Sequence, residues 1–269
     1  MATARGRHSP KDVEHLRTPG SDGHHPLAID MHLVGPLLSF FFMMTTPKNI
    51  KLTYFDIEGA AEPVRLALIL SGTDFTDERI AFADWKDLKP KTPYGAVPVL
   101  TMDGGPMKPQ SMALLRLVGS EFSETLYPRD KLYDIEETIG LLEDVQKSWT
   151  PKLYLSMRPQ VFGHPEGFGK TPEGQQLVKQ LREQWVAEEL PRFAQFLEAR
   201  LEKNEWLVPG CDHPTIADCF AVPLLRSFTK GHIDHVPTTA LDPYPKLVAY
   251  IQRFCALPSM AGRYTDGIH

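Results

Sequence analysis

The clearest pattern of apolar and polar positions lies in residues 51–70. Residues 51–55 alternate polar and β-forming apolar side chains, which predicts a strand. Gly59 marks a turn, and residues 61–70 then place apolar side chains at helical spacing, with Pro63 near the start, where a missing N–H costs little. The pattern therefore predicts a strand, a short loop and a helix, with Tyr54 where the strand meets the loop.

Strand and helix patterns continue to alternate up to about residue 124. We predict strands over residues 75–80 and 94–101, a turn at residues 103–105 and a returning strand from about residue 107. Residues 83–89 form a short helical or looped segment, and residues 110–117 form a helix. The predicted order of elements is β-α-β-α-β-β-α.

From residue 132 onward the sequence predicts helices only. Residues 125–131 read as a linker, and helices are predicted over residues 134–146, 173–190, 192–202 and 244–255, with a kink or break at Pro191. Residues 159–172, rich in Gly and Pro, predict a long loop. Thr215 and Asp218 have the spacing of a capping box with Asp in place of Glu. An all-α second half is therefore expected.

Residues 1–48 do not resemble the start of a domain. Their first part is polar, with Gly, Pro and His, and predicts a disordered extension without a catalytic role. The apolar run 33–44 is too short to span a bilayer as a helix. Two alternatives remain open: a signal peptide beginning at Met31, or a protein that starts at Met43 or Met44.

The amino-acid composition favours a globular protein and argues against several classes of binding partner. A hydrophobic content of 42% and a charged content of 23% are typical of a globular protein, and a net charge of −5 argues against nucleic-acid or anionic-membrane binding. The chain has 3 cysteines and no C-x-x-C pair, which predicts reduced thiols and a cytoplasmic location. No spacing of histidines or cysteines suggests a metal site.

The segment Lys51-Leu52-Thr53-Tyr54-Phe55-Asp56, followed by Gly59 and Ala61-Glu62, resembles the amino-terminal strand, loop and helix of cytosolic glutathione transferases. It is most similar to the sigma-like class, which includes glutathione-dependent prostaglandin D synthases. The resemblance covers about residues 49–266. It implies a thioredoxin-like domain (49–124), a linker (125–131) and an all-helical substrate-binding domain (132–269). It also implies a homodimer, with glutathione as co-substrate and no further cofactor.

Tyr54 is the predicted catalytic residue. A thiol with a pKa of about 8.5 is mostly protonated at neutral pH, whereas the thiolate is the nucleophile. A phenol that donates a hydrogen bond to the sulfur stabilises the anion, and the resemblance gives that role to Tyr54. Thr53 points to the opposite face of the strand. The alternative is a tyrosine that only packs at the strand end.

The resemblance also implies a set of residues that bind glutathione. Val97 would offer its backbone to the cysteinyl part before a cis Pro98, and Gln110 with Ser111 as N-cap would hold the γ-glutamyl carboxylate at a helix amino terminus. The Trp85 indole and the Lys89 ammonium group would bind the glycyl carboxylate. Asp144 would reach across a dimer interface to the glutathione of the second subunit. Each has an ordinary structural alternative, such as a packing tryptophan or a solvated acid.

Two departures from the family pattern bear on activity. Many sigma-like members carry an arginine where Ala60 stands, and relatives have Lys or Gln where Ala96 stands. We therefore expect glutathione binding with weak thiolate activation, and no dedicated prostaglandin isomerase. The second substrate would lie between the domains, lined by Trp149 and Tyr154. The alternative functions are a catalytically weak or non-enzymatic glutathione- or ligand-binding protein on the same scaffold, or a glutathione-dependent prostaglandin isomerase. A thiol–disulfide oxidoreductase is excluded because residues 54–62 hold no cysteine.

Overall fold

A four-stranded mixed sheet forms the first part of the structure, a computed structural model that describes residues 47–265. The strands are β1 (Ile50–Phe55), β2 (Thr76–Ile80), β3 (Val99–Met102) and β4 (Lys108–Pro109), in the order β2-β1-β3-β4. β1 runs parallel to β2 and antiparallel to β3, which runs antiparallel to β4. Of the predicted extension, residues 1–46 lie outside the described part of the chain.

Helices make up the remainder of the described structure. The α-helices are α1 (Glu62–Leu70), α2 (Trp85–Leu88), α3 (Ser111–Glu121), α4 (Leu132–Tyr154), α5 (Pro172–Gln184), α6 (Leu190–Arg200), α7 (Ile216–Arg226) and α8 (Pro245–Cys255). Short 3₁₀ turns are Gly59–Ala61, Phe82–Asp84, Lys89–Lys91, Pro93–Gly95, Arg129–Lys131, Pro159–Phe162, Phe168–Lys170 and Pro258–Met260. A π-helical turn, Trp185–Glu189, joins α5 to α6. The predicted fold, a small sheet with helices followed by an all-helical part, is confirmed.

The register of the sheet brings several chain segments to one end. Thr53 pairs with Val99, and Val99 pairs with Pro109. Because these pairs are antiparallel, the end of β1, the start of β3 and the end of β4 lie side by side. Tyr54, Val97 and the start of α3 therefore share this end of the sheet, as residues of one site must.

Helix α1 connects the sheet to the helical part. It packs against α3 and α7, and residues 62–68 are all buried. In the helical part, Trp149 packs against Trp185 and Phe228, with ring centroids 4.8 and 5.4 Å away. The described residues belong to one compact unit, so the division at residues 125–131 stays a prediction.

Three predicted elements differ from the structure. The strand predicted over residues 94–101 is limited to Val99–Met102, because Tyr94 and Gly95 adopt positive φ angles of 58° and 57° and Pro98 interrupts the run. The helix predicted over residues 134–146 extends to Tyr154 and contains Pro151. The break expected at Pro191 is the π-helical turn before it, and α6 begins at Leu190.

The predicted capping box is confirmed at the start of α7. The Asp218 carboxylate accepts hydrogen bonds from the Thr215 N–H at 2.7 Å, the Leu207 N–H at 3.2 Å and the Tyr250 hydroxyl at 2.8 Å. All of these groups are buried. Asp218 therefore ties α7, α8 and the preceding loop together.

Two further findings concern membrane-spanning helices and disulfide bonds. Within residues 47–265, no helix is both long and apolar enough to cross a membrane. The cysteines Cys211, Cys219 and Cys255 form no disulfide in the part of the chain that the structure describes.

Candidate active site

Tyr54 lies near the end of β1 with its side chain almost enclosed. Its exposed fraction is 8%, and its hydroxyl oxygen accepts a hydrogen bond of 3.1 Å from the Ala60 N–H. This bond uses the oxygen only, so the hydroxyl proton remains for another acceptor. Thr53, on the other face of the strand, donates from its hydroxyl to Glu78 at 2.6 Å. Of the two side chains, Tyr54 is the one with a proton left to donate.

The surroundings of Tyr54 keep it protonated at neutral pH. Burial raises the pKa of the Tyr54 hydroxyl, and this exceeds the lowering effects of the Ala60 N–H and the Arg65 charge. The Arg65 guanidinium carbon lies 5.7 Å from the Tyr54 ring centroid. Tyr154, the last residue of α4, and Arg158, four positions later, also act electrostatically on Tyr54. A protonated phenol is the form that can donate to a thiolate.

The loop after β1 is shaped around the Tyr54 ring. Gly59 has a φ of +46°, and a Cβ added there would lie 2.7 Å from the Tyr54 hydroxyl oxygen and 2.9 Å from its Cε1. Any side chain at this position would therefore displace either the loop or the phenol. Gly59 lets the backbone approach closely enough for the next amide, that of Ala60, to reach the Tyr54 oxygen.

Arg65 is a site residue that the sequence analysis missed. It is fully buried in α1 and donates to the loop carbonyls of Ile57 at 2.8 Å and Glu58 at 3.2 Å. It also pairs with Asp77 at 3.0 Å and with the buried Glu62 at 3.3 Å. The available signal was the pair Glu62 and Arg65, two charged residues three positions apart in an otherwise apolar helix.

Trp85 lies beside the end of β1, and Lys89 lies beside Gly95. Phe55, next to Tyr54, contacts the Trp85 ring edge-on at 5.4 Å and stacks on Phe82 at 4.4 Å. Trp85 is partly exposed and Lys89 exposed. A Cβ added at Gly95 would lie 3.4 Å from the Lys89 Cε. The structure thus places Trp85 against Phe55 and Lys89 against the segment that leads to Val97.

The Val97-Pro98 peptide bond is cis, as predicted. Val97 is partly exposed and Pro98 is buried. Within residues 47–265, neither the Val97 N–H nor its carbonyl takes part in a hydrogen bond. Both backbone groups are therefore available to an extended ligand at the sheet end.

Gln110 and Ser111 lie where α3 begins, but their roles at the helix start differ from the prediction. Gln110, not Ser111, is the N-cap, and no side chain caps the helix. Ser111 is the first helical residue, so its hydroxyl does not occupy the position from which an N-cap side chain bonds to the first turn. Gln110 has a φ of 76°, which is unusual for a residue with a side chain. The first N–H groups of α3 are thus left without a side-chain cap.

The remaining predicted residues lie on α4. Asp144 is exposed, and its nearest cation is Lys147 at 3.6 Å on the same helix. Tyr154 is 37% exposed, and its charge affects the pKa of Tyr54. Both observations agree with the predicted position of Tyr154 in a pocket next to Tyr54. Trp149 is 3% exposed in the core, so its prediction as a pocket-lining residue was wrong. Its ring packs on Trp185 and Phe228 and does not line an open pocket.

The structure also contains cavities elsewhere. One, of about 480 Å³, lies between the junction of α5 with the π-helical turn and the loop at residues 235–237. A neighbouring cavity of about 410 Å³ shares His235 with it. None of the predicted glutathione ligands lines either cavity, so neither defines the site at the sheet end.

Comparison with known proteins identifies the family of the chain. The family model described as "Glutathione S-transferase, C-terminal domain" matches residues 163–258. A class-mu 28 kDa glutathione S-transferase of Schistosoma japonicum is 38% identical over 104 residues, which are 37% of this chain and 50% of that protein. This match therefore spans half the length of that relative.

Other relatives align along nearly their whole length. "Glutathione S-transferase P" of Caenorhabditis elegans is 30% identical over 221 residues, covering 79% of this chain and 90% of that protein. Na-GST-3 of Necator americanus, described as monomeric, superposes with a TM-score of 0.60 at 26% identity, covering 79% of this chain and 94% of that one. Prostaglandin synthase D of Nilaparvata lugens shares the fold, with a TM-score of 0.63 at 23% identity and the same coverage of 79% here and 95% there. The relatives carry different class names, but they agree on one family: the chain belongs to the glutathione S-transferases, a family of transferases.

Proposed function

We propose that this protein joins the thiolate of glutathione to small hydrophobic electrophiles, and that the Tyr54 hydroxyl stabilises the thiolate. The observation that carries the proposal is the 3.1 Å bond from the Ala60 N–H to the Tyr54 oxygen. It fixes the oxygen while leaving the hydroxyl proton to be donated to sulfur. The raised pKa of Tyr54 supports the same role, because it keeps that proton in place at neutral pH.

Glutathione would lie across the end of the sheet. We propose that the Val97 backbone pairs with its cysteinyl part and that the uncapped start of α3, at Gln110 and Ser111, holds the γ-glutamyl carboxylate. Free N–H groups and the positive end of the helix dipole are suited to an anion. Trp85 and Lys89 would bind the glycyl carboxylate. Glutathione serves as co-substrate, and the proposal includes no metal or other cofactor.

The electrophile would bind above the sulfur, near the end of α4. The support is that Tyr154 and Arg158 act electrostatically on Tyr54 and that Tyr154 is 37% exposed. An aromatic surface beside a buried phenol suits a flat apolar molecule. We also propose membership of the sigma-like class, on the residues of β1 and the following loop.

The test is the pH dependence of the ultraviolet thiolate absorbance of bound glutathione in the full chain, in Tyr54→Phe and in Tyr133→Phe. Tyr133 is 80% exposed on α4 and offers the same chemical change away from the sheet end. We expect the bound thiol to titrate below its free pKa of about 8.5 in the full chain and in Tyr133→Phe, and near that value in Tyr54→Phe. Equal titration in all three proteins would refute the role of Tyr54.

A second candidate function is glutathione binding with little catalysis. The observation that favours it is Ala60, which supplies a backbone N–H but no cation, while Arg65 is engaged with Asp77, Glu62 and the loop carbonyls. Retention of glutathione without a shift of its thiol pKa would support this function over the transferase. The same titration therefore separates the two.

We further propose a homodimer in a reducing compartment such as the cytoplasm. Asp144 is exposed, as a residue that reaches a second subunit must be. Tyr94, three positions before Val97, is 81% exposed and so offers an aromatic surface to a second subunit. Light scattering of the full chain and of Tyr94→Ala tests the assembly. A monomer at micromolar concentration would refute the dimer, and with it a role for Asp144 in the partner's site.

A further inference from the structure

The loop that holds Tyr54 is connected to the end of the chain through a buried carboxylate. We call residues 261–265 the C-terminal segment. In it, Arg263 donates to both oxygens of Glu62, through Nε to Oε1 at 2.8 Å, and the Tyr264 hydroxyl donates to Oε1 at 2.8 Å. Glu62 is fully buried and lies 201 positions before Arg263. This contact therefore depends on the complete fold.

Glu62 passes the connection to Arg65. The Glu62 carboxylate accepts from Arg65 at 3.3 Å, and Arg65 in turn pairs with Asp77 at 3.0 Å. Charges thus alternate in sign from Asp77 through Arg65 and Glu62 to Arg263. A buried charge is tolerated only when it is paired and hydrogen-bonded. Removing Arg263 leaves Glu62 with the Tyr264 hydroxyl and with Arg65, a cation that it shares with Asp77.

Arg65 holds the loop itself. Its guanidinium donates to the carbonyls of Ile57 at 2.8 Å, Glu58 at 3.2 Å and Phe55 at 3.4 Å. The Ile57 and Glu58 carbonyls belong to the same loop as the Ala60 N–H that bonds to Tyr54, and the Phe55 carbonyl lies at the end of β1, where the loop begins. The position of that N–H is therefore set by Arg65, whose own position depends on Glu62.

A second contact joins the C-terminal segment to α7. The Arg226 guanidinium carbon lies 4.0 Å from the Tyr264 ring centroid, and Arg226 reaches Glu58 of the loop at 3.4 Å. Lys230 bonds to the same Glu58 carboxylate at 2.7 Å. Burial and the Glu62 charge raise the pKa of Tyr264, which keeps its hydroxyl a donor. The segment thus supports the loop from two sides.

We propose that Arg263 and Tyr264 are positioning residues: through Glu62 and Arg65 they hold the Ala60 N–H against the Tyr54 oxygen, and so set how readily bound glutathione ionises. The inference rests on the proposed function. Neither residue touches the sulfur. Loosening the loop lets the Tyr54 hydroxyl rotate away from the thiolate and raises the pKa of the bound thiol toward its free value.

The test uses Arg263→Gln, Tyr264→Phe and the double variant in the full chain. Arg263→Lys restores the charge, and Arg253→Gln removes a cation from α8 that bonds to Glu205 and not to Glu62. The Tyr264→Phe change keeps the ring against Arg226, so it preserves packing if Arg263→Gln fails to fold. Two quantities are measured: kcat/KM for glutathione as a function of pH, and hydrogen exchange of the amides in residues 55–61.

The pH profile separates positioning from general destabilisation. At pH about 6.5 we expect kcat/KM to fall about 3- to 10-fold in each single variant, and at pH about 9, where the thiol ionises unaided, less than about 2-fold. Exchange in residues 55–61 should rise by about tenfold. Arg263→Lys should recover part of both losses, and Arg253→Gln should match the unchanged protein.

Other outcomes are equally decisive. An equal loss at both pH values, or unchanged exchange in residues 55–61, would overturn the positioning role. If bound glutathione shows no lowered thiol pKa in the unchanged protein, the proposed function fails, and the effect on the thiol fails with it. Hydrogen exchange would still report whether the C-terminal segment holds the loop, so the two failures are distinguishable.

Discussion

Replacing Gly59 by alanine tests directly whether the loop positions Tyr54. The new Cβ would lie 2.7 Å from the Tyr54 hydroxyl oxygen, inside normal contact distance, so the phenol or the loop must move. The substitution also carries a backbone cost, because Gly59 has a φ of +46° and alanine in the left-handed region costs about 1–2 kcal/mol. These two effects need to be separated.

Gly72→Ala is the matched control. Gly72 has a φ of +68°, and a Cβ added there meets nothing within 4 Å. Both variants should therefore lose about 1–2 kcal/mol of unfolding free energy from the backbone alone. Only Gly59→Ala should disturb Tyr54. A charge-assisted hydrogen bond contributes about 1.5–3 kcal/mol, so its loss corresponds to an about 10- to 100-fold lower rate.

The assay is glutathione conjugation to a chlorodinitrobenzene at several pH values, beside urea unfolding of the two variants and the unchanged protein. We expect the rate of Gly59→Ala to fall most at low pH and that of Gly72→Ala to stay within about twofold of the parent. If Gly59→Ala keeps the parent's rate and pH profile while losing stability, Tyr54 is not held by this loop contact and the mechanism is refuted.

Five other substitutions test further parts of the structure. Gly119→Ala would place a Cβ 2.6 Å from a side chain of α7 and should cost about 1–3 kcal/mol in urea unfolding, whereas Gly140→Ala, with nothing within 4 Å, should stabilise α4 by about 0.5–1 kcal/mol. Asp218→Asn leaves buried donors unpaired and should cost about 2–4 kcal/mol by the same measurement. The pKa of Glu136 is lowered by hydrogen bonds from an arginine of α3, so its stabilisation is present above the unfolded pKa of about 4.3 and is lost as pH falls through the lower folded value. Glu136→Gln should therefore lower the urea midpoint more at pH about 6 than at pH about 3. Ala60 is exposed, so Ala60→Arg can add a cation near Tyr54 and should lower the pKa of the bound thiol, and an unchanged titration would contradict this.

The first strand, loop and helix could be predicted because their signals are local. Alternation over residues 51–55 and helical spacing after Gly59 were enough to define β1 and α1, within a residue or two. The capping box at Thr215 is equally local. The strand at residues 94–101 was predicted too long, because side-chain propensity does not reveal that Tyr94 adopts a positive φ.

The contacts that hold Tyr54 could not be predicted from the sequence. The hydrogen bond to its oxygen comes from a backbone N–H, which every residue except proline supplies. The identity of residue 60 therefore does not predict this bond. The ion pair of Glu62 with Arg263 joins residues 201 positions apart. Ser111 was expected as an N-cap because serine favours that position, but Gln110 with its φ of 76° occupies it.

Under the proposed function, the absence of a cation in the Ala60 side chain is only part of what determines the reactivity of the bound thiol. The backbone of Ala60 orients the phenol, while Arg65 lies 5.7 Å from the ring and shares its charge among Asp77, Glu62 and the loop carbonyls. Because that positive charge is largely balanced by carboxylates, burial remains the largest influence on Tyr54 and its pKa stays raised. A weakly acidic donor stabilises a thiolate less than an acidic one. If Tyr54 stabilises the glutathione thiolate as we propose, this arrangement activates the bound thiol through orientation more than through charge.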